Sequence, residues 1–196
     1  MTKHYFTDAH APTGEEIFSK EVSFRGRTHQ VTLASQVFSA AGLDKGTAVL
    51  LDTAPTPVGP ALDLGCGWGP LAVGLAAEIG AQNVWAVDVN ERALALTAKN
   101  VPGAHVMTAA NALTALEKQP FFRTIWSNPP IRVGKVALHE LLNTWLPYLH
   151  DEGAAYLVVS KNLGADSLMR WLNDQNYKVT RHASKKGFRV LQVKKA

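Results

Sequence analysis

PALDLGCGWGPLAVGLAAEIG, from Pro60 to Gly80, is the stretch whose reading decides the fold. A short apolar strand, Ala61–Leu64, runs into a loop with glycines at 65, 67 and 69, and a helix follows from Pro70 to Ile79. Proline suits the first helical turn, where its missing N–H is not needed. Leu71, Leu75 and Ile79 recur at helical spacing, with Ala72, Val73 and Ala76 filling the same flank. A strand turning through glycines into a helix is the front of a nucleotide-type site. Glycine lets backbone approach a ligand, and the helix start offers free N–H groups.

Spacing selects among ligands. A dinucleotide fingerprint, G-x-G-x-x-G, would place its third glycine at position 70, where this chain has Pro70. The chain reads D-x-G-x-G-x-G from Asp63 to Gly69. That pattern resembles motif I of class I S-adenosylmethionine (SAM) methyltransferases. The resemblance implies SAM as cofactor, cradled by Asp63, Gly65, Cys66, Gly67 and Gly69.

The 196 residues suffice for one α/β domain with a sizeable core. Apolar content of 46% against 18% charged residues describes a globular chain rather than a disordered one. No apolar run is long enough to span a bilayer, and MTKHYFTDAH lacks a signal-peptide core. One cysteine, Cys66, excludes an internal disulfide and agrees with a cytoplasmic location. Twenty Lys and Arg against 16 acids give a net charge of +4, compatible with a polyanionic partner. The basic residues concentrate near the C-terminus: Lys178, Arg181, Lys185, Lys186, Arg189, Lys194 and Lys195.

Residues 1–20 read as irregular. Val22–Phe24 and Gln30–Leu33 then flank Arg25-Gly26-Arg27 as a hairpin, and Asp44 caps a short helix through Leu51. These belong to an N-terminal extension, residues 1–59, of a single domain whose core is 60–196. Within the core the first strand and helix are followed by strand Val84–Asp88 and helix Glu91–Lys99, capped by Asn90. Strand His105–Ala109 precedes a short helix near Leu113–Lys118, and strand Thr124–Ser127 precedes helix Lys135–Leu149. Strand Ala154–Ser160 precedes helix Ala165–Asn173, and Tyr177–His182 and Phe188–Val193 close the chain. The alternation predicts an α/β fold: a seven-stranded, mostly parallel sheet with helices on both faces and the last strand antiparallel. This is similar to the Rossmann-like class I methyltransferase fold.

Ligands of open parallel sheets bind at the carboxyl ends of the strands. Asp88, 23 positions after Gly65, stands where an acid can accept from both ribose hydroxyls. Asn111 matches the place where such methyltransferases often carry an Asp on the adenine amine. Val89, Ala110 and Phe38 complete the expected cofactor contacts.

The fourth strand ends in Ser127-Asn128-Pro129-Pro130-Ile131. It resembles motif IV of methyltransferases acting on planar amines. An exocyclic amine is a poor nucleophile, because its lone pair is delocalised into the ring. The Asn128 side-chain oxygen and the Pro129 carbonyl can hold its two N–H groups and aim the lone pair at the sulfonium methyl, with Pro130 stiffening the turn. Asn128 thereby serves catalysis and borders the cofactor. Enzymes acting on adenine or glutamine usually place an aromatic residue where this chain has Ile131. NPPIRVGKVALHELL, SQVFSAAGLDKGTAVLL and GFRVLQV instead resemble the methyltransferase small group, from about Tyr5 to Val193. That group includes guanine-N2 methyltransferases of small-subunit ribosomal RNA, so the resemblance implies RNA as partner.

A flipped base would then stack on Phe188 or Phe38, with Ile131 beside it, and Arg132, Lys135, Lys161 and Arg189 could meet phosphates. The seven histidines are scattered, so no metal site is expected. Another planar amine as target, or a SAM-binding module without activity, are the alternatives; the intact glycine loop and Asn-Pro-Pro argue against the second.

Overall fold

Ala61–Leu64 (β3) is buried along its whole length, Asp63 included, as befits a strand covered on both faces. A computed structural model describes residues 17–35, 42–117 and 119–196 of the chain. Preceding β3 are strands Ile17–Phe24 (β1) and Arg27–Ala34 (β2) and helix Lys45–Thr53 (α1). After it come Pro70–Ile79 (α2), Val84–Asp88 (β4), Glu91–Asn100 (α3), His105–Thr108 (β5) and Ala109–Ala115 (α4). The rest is Phe122–Ser127 (β6), Lys135–Trp145 (α5), Leu149–Ser160 (β7), Ala165–Asp174 (α6), Tyr177–Lys185 (β8) and Phe188–Lys195 (β9).

Seven strands form one sheet in the order β5-β4-β3-β6-β7-β9-β8, in which β9 alone runs opposite to the other six. The expected architecture is the observed one. One core, with Leu50, Leu75, Leu96 and Trp126, lies under α1, α2, α3 and the β1–β2 hairpin. The other, with Ile125, Leu142, Leu157 and Leu172, lies under α4, α5 and α6.

Several boundaries differ from those expected, each for a local reason. Residues 17–20, read as irregular, belong to β1: they are exposed or half-buried, so no alternation marks them, yet they pair with Lys20↔Val31 through Ile17↔Ala34. The third parallel strand stops at Thr108, because the Thr108 hydroxyl caps a helix that starts at once. That helix ends at Ala115, not near position 118. Pro147 ends α5 early, Leu146–Tyr148 making a tighter turn. β7 then begins at Leu149 instead of 154, through a bulge opposite Phe122–Thr124. Gly153 sits in that bulge, where a Cβ would come within 2.9 Å of the Phe122 carbonyl oxygen.

The hairpin is fastened to the core by its own turn. Arg25 donates to the carbonyl oxygens of Leu51 and Ala54 (both 2.9 Å), pairs with Glu78, and lies over the Trp126 ring. Those carbonyls end α1, where no intrahelical donor remains. Asn100 adds a second tie, exchanging bonds with Thr32 N (2.7 Å) and Thr32 O (2.9 Å). Arg25→Ala should lower stability by about 2–3 kcal/mol, read as a lower urea midpoint at unchanged slope.

Candidate functional site

The carboxyl ends of β3, β4 and β6 meet at one point. The Val87 carbonyl accepts from both Gly65 N (2.9 Å) and Cys66 N (3.0 Å), and Ser127 Oγ donates to Leu64 O (2.7 Å). Asp88 takes Gly67 N on Oδ2 and Asn90 N on Oδ1, both at 2.9 Å. From α3, Thr97 Oγ1 donates to Gly67 O (2.9 Å), and its side chain stands where a Cβ on Gly69 would come within 3.0 Å. The loop is thus pinned from behind. Its front is open: Gly65 (φ 76°) and Gly67 (φ 58°) would carry a Cβ into empty space.

Asp63 lies beneath the loop, fully buried. Its Oδ2 accepts from Ala72 N (2.9 Å) in the first turns of α2, while Oδ1 has no partner. Burial, with the nearby Asp88 charge adding to it, pushes its carboxyl up to about 8; the Ala72 bond opposes this. Cys66 is also buried, and its thiol is driven well above the ordinary range by desolvation and then by Asp63 and Asp88. It is a packed loop residue, not a nucleophile.

At the end of β6, Pro130 (φ −74°, ψ 74°) centres an inverse γ-turn in which Ile131 N donates to Pro129 O (2.8 Å). One lone pair of the Pro129 carbonyl is left over. Asn128 Nδ2 donates to Asp44 Oδ2 (2.9 Å) and Thr47 Oγ1 (3.0 Å), both at the start of α1. A small cleft, open to solvent, is lined by Asp44, Thr47, Asp63, Gly65, Gly67, Trp68 and Asn128 among others.

The residues nominated from sequence divide accordingly. Asp63, Gly65, Cys66, Gly67 and Asn128 line this cleft, and Gly69 and Asp88 buttress the loop. Val89 is exposed at the end of β4; Ala110 and Asn111 are exposed in the first turn of α4 rather than at a strand end. Pro129 is buried, and Pro130 and Ile131 are half-buried. Lys135 and Lys161 are exposed. Arg189 is buried and paired with Asp166, so it is no free cation for a phosphate. Phe188 packs its ring on the first turn of α1, 3.1 Å from where a Cβ on Gly46 would lie. Phe38 and the Arg132 side chain lie outside the described residues. Sequence reasoning missed Asp44 and Thr47 as site residues: Asp44 was legible as a helix cap, and nothing local marks its bond to a residue 84 positions away. Among the described residues no three His, Cys, Asp or Glu stand together as metal ligands, and no helix is long and apolar enough to cross a membrane.

Sheet order, glycine loop and Asn-Pro-Pro turn together define a class I methyltransferase, a class whose methyl donor is S-adenosylmethionine. The chain belongs to the methyltransferase small domain family, which it matches over residues 28–192. It is 29% identical to the uncharacterized protein YbxB of Bacillus subtilis over the whole of both chains. Ribosomal RNA small subunit methyltransferase C of Shewanella amazonensis is 28% identical, over 80% of this chain and 48% of that protein. The Shewanella baltica protein of the same name is 36% identical over 65% and 38%. Among solved structures, a T. thermophilus 16S rRNA N2 guanosine methyltransferase, determined with AdoMet and guanosine, superposes with a TM-score of 0.74 at 22% identity. That superposition covers 94% of this chain and 52% of the other. The chain therefore spans about half or less of the length of these ribosomal RNA methyltransferases.

Asp63 generates a prediction with a defined sign. Its raised value means that the folded protein keeps a proton from about pH 4 to about 8 while the unfolded chain has lost it. The folded state binds more protons in that window, so stability falls as pH rises through it. Asp63→Asn removes the dependence. Its stability advantage over the parent should grow from about pH 4 to 8 by up to ~1.4 kcal/mol per pH unit, then level off, as read by urea unfolding across pH.

Proposed function

We propose that this chain transfers a methyl group from S-adenosylmethionine to the exocyclic N2 amine of guanine in small-subunit ribosomal RNA, in the cytoplasm. The observation that carries it is the pair of acceptors at the end of β6. Asn128 has both amide protons engaged by Asp44 and Thr47, which leaves its Oδ1 to accept, and Pro129 O keeps a lone pair beyond the Ile131 bond. Two acceptors suit an NH₂ group, and holding both protons turns its lone pair outward.

The site suits the cofactor. The partnerless, buried Asp63 Oδ1 fits a cationic group such as the cofactor's ammonium, whose arrival would expel the proton that burial holds on Asp63, and the empty space over Gly65 and Gly67 admits a ligand against bare backbone. Asp88 retains lone pairs beyond its two loop bonds for ribose hydroxyls. The cofactor supplies a methyl on cationic sulfur: the amine lone pair forms the N–C bond, the C–S bond breaks with its pair on sulfur, and one amine proton passes to water. The chain contributes position and fixed dipoles rather than a base. Exposed Lys135, at the start of α5, and Lys161, just past the end of β7 beside β6, favour a polyanion. The names of the ribosomal RNA relatives support the target, as does Ile131 standing where adenine enzymes usually carry an aromatic ring.

Labelled SAM incubated with protein-free ribosomal RNA and with intact small subunits, followed by nucleoside analysis, should yield N2-methylguanosine. A different methylated nucleoside, or none, refutes the target. Asn128→Ala should lower kcat by about 100- to 1,000-fold while the SAM Kd stays within about twofold. Asp63→Asn should weaken SAM by about tenfold or more in isothermal titration, although it stabilises the ligand-free protein.

A further inference from the structure

Asp44 ends the loop before α1, and its carboxylate does two things at once. Oδ2 accepts from Gly46 N (2.8 Å) and Thr47 N (3.1 Å), which caps the helix. The same oxygen accepts from Asn128 Nδ2 at 2.9 Å, and Thr47 Oγ1 lies 3.0 Å from that nitrogen. Capping needs only the first pair. A carboxylate cannot donate, so the Asn128 amide must turn its nitrogen toward Asp44 and its oxygen away. Thr47 is buried, and the Phe188 ring packs against Gly46 in the same turn, so the helix start is held in place.

We propose that Asp44 and Thr47 are the positioning pair of this site, locking the Asn128 amide so that only its Oδ1 faces the substrate and only an N–H donor is accepted there. The proposal rests on the methyl-transfer reading above and deepens it. The two orientations of an amide are nearly identical in shape, so packing alone separates them poorly. Without Asp44 the flipped amide would point NH₂ at the incoming amine, donor against donor, and the lone pair would lose its aim. The bonds to Nδ2 also polarise the amide, which strengthens Oδ1 as an acceptor. A substrate atom that can only accept meets lone pairs on Oδ1 and is rejected.

Variants of the whole chain test this. Asp44→Asn keeps an acceptor oxygen for both the cap and Asn128, and kcat should stay within about threefold of the parent. Asp44→Gly weakens the helix start only slightly but removes that oxygen; kcat should fall about 10- to 100-fold while the SAM Kd stays within about twofold. Thr47→Val preserves shape and removes the second acceptor, with a loss of about two- to tenfold. In an Asn128→Ala background, Asp44→Gly should cost no further activity, because the group it positions is gone. Parental kcat in Asp44→Gly, an undiminished loss in the Asn128→Ala background, or a SAM Kd that rises in step with lost kcat in both Asp44 variants would each overturn the proposal. A second readout is independent of turnover. The Asn128 side-chain NH₂ signals, assigned in ¹⁵N NMR by their loss in Asn128→Asp, should shift and exchange faster with water in Asp44→Gly; unchanged signals overturn the positioning role. If the parent protein methylates nothing, the proposed function fails, and these signals still decide whether Asp44 holds the amide.

Discussion

The structure depends on how the glycine loop after β3 is held. Its first two N–H groups converge on the Val87 carbonyl, its Gly67 N–H ends on Asp88, and its Gly67 carbonyl receives the Thr97 hydroxyl. These partners come from the end of β4 and from α3, while Gly65 and Gly67 leave bare backbone facing open space. Asp63 is enclosed under it with one oxygen unpartnered, an arrangement that lowers the stability of the ligand-free fold. Trp68 and Trp126 also bury an indole nitrogen without a hydrogen bond, but Asp63 is the carboxyl among these groups and the one directly beneath the glycine loop.

The sheet was legible because its signals are local and repeated. β3 and β4 are short, mainly apolar runs, and the helices that follow them open on a recognisable start, Pro70 in α2 and the Asn90 cap of α3. What escaped lies where local signals are silent or compete. The exposed half of β1 is defined by pairing with β2 and not by alternation. Thr108 began α4 earlier than its apolar pattern suggested, which moved Asn111 from a strand end onto a helix. In the site, the glycine loop and the Asn-Pro-Pro turn were read directly, because their backbone demands restrict residue type. Asp44 could not be read that way. A capping acid looks the same in sequence whether or not its spare lone pairs hold a distant amide.

Charge needed the structure for the same reason. The basic C-terminal residues look uniform in sequence, yet Arg189 is buried against Asp166, and Lys185 and Lys195 pair with Asp52 and Asp151. A count of cations therefore overstates what is available to a polyanion. Lys135 and Lys161 are exposed, at the start of α5 and just past the end of β7, the strand paired with β6.

The segment before β3 is more than an extension laid on a finished core. Helix α1 is only nine residues, about 13 Å long, and is gripped at both ends. At its C-terminus Arg25 and His182 take the carbonyl oxygens of Leu51, Ala54 and Thr53, with His182 at 2.9 Å. At its N-terminus Asp44 and Thr47 hold Asn128. A short helix anchored at both ends links the hairpin turn and the β8 edge to the turn that carries Asn128. The family match over residues 28–192 takes in this helix, whose first turn holds Asn128.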